Sequence, residues 1–150
     1  MSVTFWVPDA PRTRVMVPCT YGKGYAHACK PEERCGYCAD GLEEKIESPA
    51  PEINLANGNA RVILEIVGLP VGDLYGSLSP ESMPKVRRNI VRALNGQLGA
   101  YERPSSDTHA DGCARVMVQG LDAEGIRERL KRLDAVLVYA QANKQRVTWG

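Results

Sequence analysis

The sequence predicts an α+β protein: a small mixed domain with three main helices, short antiparallel strands and a Cys-rich zinc-binding loop. Two periodicities and one gap point there. Apolar residues recur at helical spacing in three stretches and at alternate positions in several shorter ones. Residues 19–41 hold Cys19, Cys29, Cys35 and Cys38, four of the five cysteines, and almost no aliphatic side chains. Hydrophobic residues at 43% and charged residues at 25% are ordinary for a folded globular chain, which argues against general disorder.

From the N-terminus, Val3, Phe5 and Val7 alternate along an extended run that Pro8 and Pro11 end. A second strand is expected over 13–17, with Val15 and Val17 in phase and Pro18 closing it. These two pieces are expected to pair as antiparallel strands leading into the cysteine-rich segment.

Within that segment Cys35 and Cys38 are separated by two residues, and Gly41 follows. A two-residue gap lets both sulfurs face one ion at a turn, and a small residue afterwards leaves backbone amides free to approach the thiolates. Cys19 and Cys29 complete a four-ligand set, with His27 as an alternative ligand. A chain without a secretion signal and with an odd number of cysteines is a poor candidate for a disulfide framework. Free thiols, a disulfide and another metal are the competing readings. A closed shell of four thiolates stabilises structure, whereas a catalytic zinc keeps an open position and usually uses His or carboxylate. The expected cofactor is therefore structural Zn2+. The Cys35, Cys38, Gly41 pattern is similar to the knuckles of zinc ribbons and of the chaperone cysteine-rich domain, although those families usually supply a second such pair, which this chain lacks.

The charged stretch 42–47 precedes Ser48-Pro49 and Ala50-Pro51, which read as a linker over 48–55. The expected organisation is a strand pair and zinc-binding lobe over 1–47, then an αβ domain over 56–150 that can pack with it as one unit. Asn57 suits a helix N-cap, Ala60, Ile63, Leu64 and Val67 follow at helical spacing, and Gly68 stops the helix. Leu74 and Leu78 are expected to turn inward in the following connection. Ser79 or Ser82 caps a second helix over 83–95, with Val86, Ile90, Val91 and Leu94 as its buried stripe and Gly96 as its end. Residues 96–112 are poor in apolar side chains and are expected to form an exposed loop. A strand over 113–119 follows. Asp122 caps a long helix that buries Ile126, Leu130, Leu133, Val136, Leu137 and Ala140, and Val147-Thr148-Trp149 forms a last strand.

Charge narrows the function classes. Nineteen basic residues against eighteen acidic ones leave a net charge of +1, far from the excess that drives tight attraction to phosphate backbones. The distribution is uneven: residues 42–79 carry Glu43, Glu44, Glu47, Glu52, Glu65 and Asp73 against Lys45 and Arg61, whereas 80–103 are predominantly basic. Lys85, Arg87, Arg88 and Arg92 fall on the second helix and are the candidate partner-binding residues. A helix-turn-helix is disfavoured, because the first two helices are joined by a connection far longer than that motif's turn. The start MSVTFWVPDA carries no targeting pattern, and the most apolar stretch, 62–71, is short and broken by Glu65. The expected location is the host-cell cytoplasm, with no membrane partner.

No catalytic constellation is legible, and the expected protein is not an enzyme. His109 between Asp107 and Asp111, with Cys113 nearby, has the right residue types for a nucleophilic site, but neighbours in one loop seldom converge as a triad must. The Tyr21–Tyr25 run, YGKGY, matches no phosphate-binding pattern and opens no predicted helix.

The run from Glu52 to Ala60, EINLANGNA, with Leu64, Gly68-Leu69 and the closing VTWG of Val147–Gly150, resembles a group of small uncharacterised proteins encoded by phages and prophages. The resemblance covers about the last two thirds of the chain. It implies an accessory protein without attached activity. The function expected on these grounds is binding of a macromolecular partner, a host protein or defence complex that is inhibited. The alternative is a nucleic-acid-binding regulator using the zinc knuckle and the basic helix 83–95.

Overall fold

Val3 and Phe5 alternate with Ser2, Thr4 and Trp6 in the first strand, β1 (Ser2–Trp6), so one face of that strand is wholly apolar. The computed structural model describes residues 2–18, 42–110, 114–118 and 120–150. The chain divides into two units, one formed by Met1–Asp9 with Ala50–Gly150 and the other by Ala10–Pro49.

In the larger unit β1 lies inside a four-stranded antiparallel sheet. Its neighbours are β4 (Ile53–Ala56) on one side and β8 (Val147–Trp149) on the other, and β5 (Gly76–Leu78) completes the order β4-β1-β8-β5. Thr4 and Gly150 exchange backbone hydrogen bonds at 3.0 and 3.2 Å, extending the β1–β8 pairing by one residue. Val3, Phe5, Ile53, Leu55, Leu78, Val147 and Trp149 are buried, all at alternate positions and therefore on one face. Phe5 and Trp149 stack with ring centroids 5.8 Å apart. A Cβ on Gly76 would stand 2.4 Å from the Trp149 ring, so only glycine lets β5 approach β8 over that indole.

Three helices complete the unit, α1 (Asn57–Val67), α2 (Met83–Leu94) and α3 (Ala123–Ala142). Helices α1 and α3 lie against sheet strands, and α2 packs against both helices. The six apolar positions expected to face inward from α3 are all buried. At the start of α3, Asp122 Oδ1 accepts from the Gly125 amide at 2.7 Å, as a capping Asp should, and Glu102 Oε1 accepts from the Ala123 amide at 3.0 Å. Gly68 ends α1 at φ 74°; its N–H bonds to Glu65 O and the Leu69 N–H to Leu64 O, satisfying two carbonyls the helix leaves open. Lys144 ends α3 in the same left-handed way at φ 53°, without being glycine.

The described part of the smaller unit is a hairpin, β2 (Thr13–Pro18) against β3 (Leu42–Glu47), with a ladder running from Thr13 opposite Glu47 to Pro18 opposite Leu42. A second hairpin, β6 (Ser106–Ala110) with β7 (Ala114–Val118), belongs to the larger unit, and an Arg103–Leu121 bridge lies next to it in the chain. Among the described residues no helix is long and apolar enough to cross a membrane.

Several sequence-based expectations are corrected. Residues 2–6 and 13–17 do not pair with each other. The first run buries Val3 and Phe5 in the sheet core, and the second finds its partner in the charged stretch 42–47, whose run Glu43-Glu44-Lys45 concealed a strand. The 48–55 stretch is a connection only as far as Glu52, because Ile53 and Leu55 are buried in β4. Residues 2–9 accordingly join 50–150, not the lobe. Asn57 does not cap α1; Ala56 holds that position with no side-chain cap. The expected loop 96–112 contains a 3-10 turn at Gly99–Tyr101 and strand β6. Such polar strands are invisible to apolar periodicity, since a backbone ladder forms without alternating apolar side chains.

Candidate functional site

Helix α2 turns Met83, Val86 and Ile90 inward and carries Lys85, Arg87, Arg88 and Arg92 elsewhere, with no carboxylate among its residues. The four expected partner-binding cations do not share one fate. Arg87 reaches across to α3, where its Nε donates to Asp134 Oδ1 at 2.7 Å, its Nη2 to Oδ2 at 3.4 Å and its Nη1 to Gln141 Oε1 at 3.2 Å. That two-pronged pair is half-buried and joins the helices. Lys85, Arg88 and Arg92 are exposed and make no ion pair among the described residues.

Beside the Arg87–Asp134 pair a cleft of ≈350 Å³ opens between the helices, lined by Pro84, Arg87, Arg88, Val91 and Gln141. Val91, expected in the buried stripe, is 53% exposed, because it lies one turn beyond Arg87 on the outward face. Leu94 is half-buried. On α3, Val138 is 43% exposed, one turn from both Asp134 and Gln141. Two uncovered valines therefore stand beside a clamped ion pair, with Arg88 on the wall of the cleft. Sequence reasoning located the cations but missed both valines, Asp134 and Gln141. The signal available was the placement of Val91 four residues after Arg87.

A second cleft of ≈350 Å³ lies among Ile66, Asn89, Arg92, Ala93, Leu98 and Tyr101, where the Asn89 amide donates to Val67 O at 2.9 Å. A third, near the start of α3, contains Glu102 and Asp122, whose carboxylates already accept from the helix's first amides and so deny them to an outside anion. Just before α2, Glu81 is held below the ordinary carboxyl pKa, first by a hydrogen bond with the Ser79 side chain and then by its own backbone amide.

The metal expectation falls on residues the structure does not describe: Cys19, His27, Cys29, Cys35 and Cys38, and likewise the Tyr21–Tyr25 run, lie outside the described residues. Among the described residues no group of three or more His, Cys, Asp or Glu could hold a metal ion. His109 lies in β6 opposite Arg115, while Asp111 and Cys113 are outside the described residues.

No family model, curated protein or solved structure matches the chain.

Proposed function

We propose that this is a non-enzymatic accessory protein of the phage type, stabilised by zinc and acting by binding a macromolecular partner in the host cytoplasm, either a host factor or a defence complex that it inhibits. The observation that carries the reading is the α2–α3 face: two exposed valines and a cleft between the helices with Arg88 on its wall, while Lys85, Arg88 and Arg92 of α2 have no ion-pair partner among the described residues. Apolar anchors beside positive charge suit a protein surface with an apolar patch and an acidic rim. Arg87 contributes by holding the helices in register, since its charge is already matched by Asp134.

The proposed ligands of the zinc are Cys19, Cys29, Cys35 and Cys38, with His27 as the alternative. Support comes from the β2–β3 ladder, which ends with Pro18 opposite Leu42 and so anchors both ends of the intervening segment at adjacent points. Four thiolates saturate a tetrahedral ion, so the metal would supply folding energy and no open position for substrate.

Nucleic-acid binding is the second reading, favoured by the absence of any carboxylate from α2. The near-neutral chain and the commitment of Arg87 to Asp134 weigh against it.

The test has two parts. Purified protein should contain about one zinc per chain, lost in a Cys35→Ser, Cys38→Ser double variant. Capture from the host should retain a discrete acidic protein that Arg88→Glu or Val91→Glu releases without change in melting temperature. Capture unaffected by both substitutions refutes the docking face, and a salt-sensitive gel shift of DNA or RNA lost with Arg88→Glu supports the second reading instead.

A further inference from the structure

The sheet has a second face, and its chemistry differs from that of the helices. Ser2, Thr4 and Trp6 of β1, Asn54 of β4 and Thr148 of β8 alternate with the buried residues and therefore lie opposite the helices. All are exposed or half-exposed. Asn54 Nδ2 donates to Thr4 Oγ1 at 2.7 Å and to Ser2 Oγ at 3.2 Å, which leaves Asn54 Oδ1 as an acceptor and the hydroxyls as donors.

Two aromatic residues border this face on either side of Gly150. Trp6 stands opposite Thr148, and Tyr75, 70% exposed, precedes β5 at the level of Gly150. A Cβ on Gly150 would sit 3.9 Å from Trp6 Cη2 and 3.7 Å from Tyr75 Cβ, so the two side chains flank a position where backbone alone forms the floor. Within the strands the face carries no charged side chain. Its rim has Glu52, just before β4, and Arg146, just before β8, whose Nε lies 3.7 Å from Asp9 Oδ2.

We propose that this face, centred on Trp6 and Tyr75 around Gly150, binds a neutral saccharide. A pyranose offers a C–H face that packs on an aromatic ring and equatorial hydroxyls that exchange hydrogen bonds with neutral hydroxyl and amide groups, and it needs no counter-charge. Single-stranded nucleic acid would also stack on aromatics, but its phosphates require cations; the strands of this face carry none, and Arg146 at the rim already lies beside Asp9. The proposal is independent of the α2–α3 docking face and of the metal.

The two tryptophans make the test direct. Trp149 is 4% exposed whereas Trp6 is half-exposed, so acrylamide quenching of the intact protein reports on Trp6. Cellohexaose, chitohexaose and maltohexaose are titrated separately, with an oligothymidine in parallel. At least one saccharide should lower the quenching constant by about two-fold through coverage of the ring. Tyr75→Ala should abolish that protection with no change in melting temperature, and Gly150→Val, which fills the floor without a clash at Cβ, should do the same. Absence of protection by all three sugars overturns the proposal. So does protection by the oligothymidine alone, or sugar protection that survives both substitutions.

Discussion

The larger unit and the β2–β3 hairpin are built from similar strands but held by different means. In the larger unit the strands of the four-stranded sheet bury one face, and residues as distant in sequence as Phe5 and Trp149 stack in a shared core. In the hairpin Thr13, Arg14, Lys45, Ile46 and Glu47 are exposed, Ile46 at 59%, while Val15 and Val17 are only half-buried. A two-stranded ribbon is marginal by itself in water, whereas a four-stranded sheet with packed helices is not. The contrast teaches that the two regions should respond to different perturbations, burial governing one and the proposed metal the other.

Metal removal should break the contrast most visibly. With apparent zinc-binding energies of about 10 kcal/mol or more in small thiolate sites, a strong chelator should open the 10–49 region to protease while the main thermal transition stays within a few degrees. Equal loss of both would show a single cooperative body. Leu130→Ala should do the reverse: the side chain is fully buried in α3, and its truncation should lower the stability of the larger unit by about 2–5 kcal/mol in urea unfolding, with zinc content unchanged. A fall below about 1 kcal/mol would mean that the helix layer is not the dominant core. Lys144→Gly sharpens the same comparison from the other direction. Its left-handed φ of 53° strains a side-chain-bearing residue, and relief of that strain, partly offset by a looser unfolded chain, should stabilise the larger unit by roughly 0.5 kcal/mol.

Legibility in the sequence followed the strength of apolar burial. The α3 stripe, the Asp122 cap, the Gly68 stop and the strand 147–149 were readable because each rests on local spacing or on one residue's conformational preference. The pairing of strands was not. The charged β3 and the polar β6 carry little apolar alternation, and β4 begins two residues after a proline that reads as a linker. At the candidate site the cations of α2 were visible, but the capture of Arg87 by Asp134, and the exposure of Val91 that accompanies it, depend on how α3 lies beside α2.

The amino-acid order by itself determined an α+β chain with three helices and the inward faces of α1 and α3, because helical periodicity and capping are local properties. Tertiary structure alone decided that β1 sits between β4 and β8, that residues 2–9 belong with 50–150, and which of the four cations of α2 pairs with α3. Those outcomes turn on contacts between residues far apart in the chain, where the free energy of burial and pairing is settled jointly by both partners.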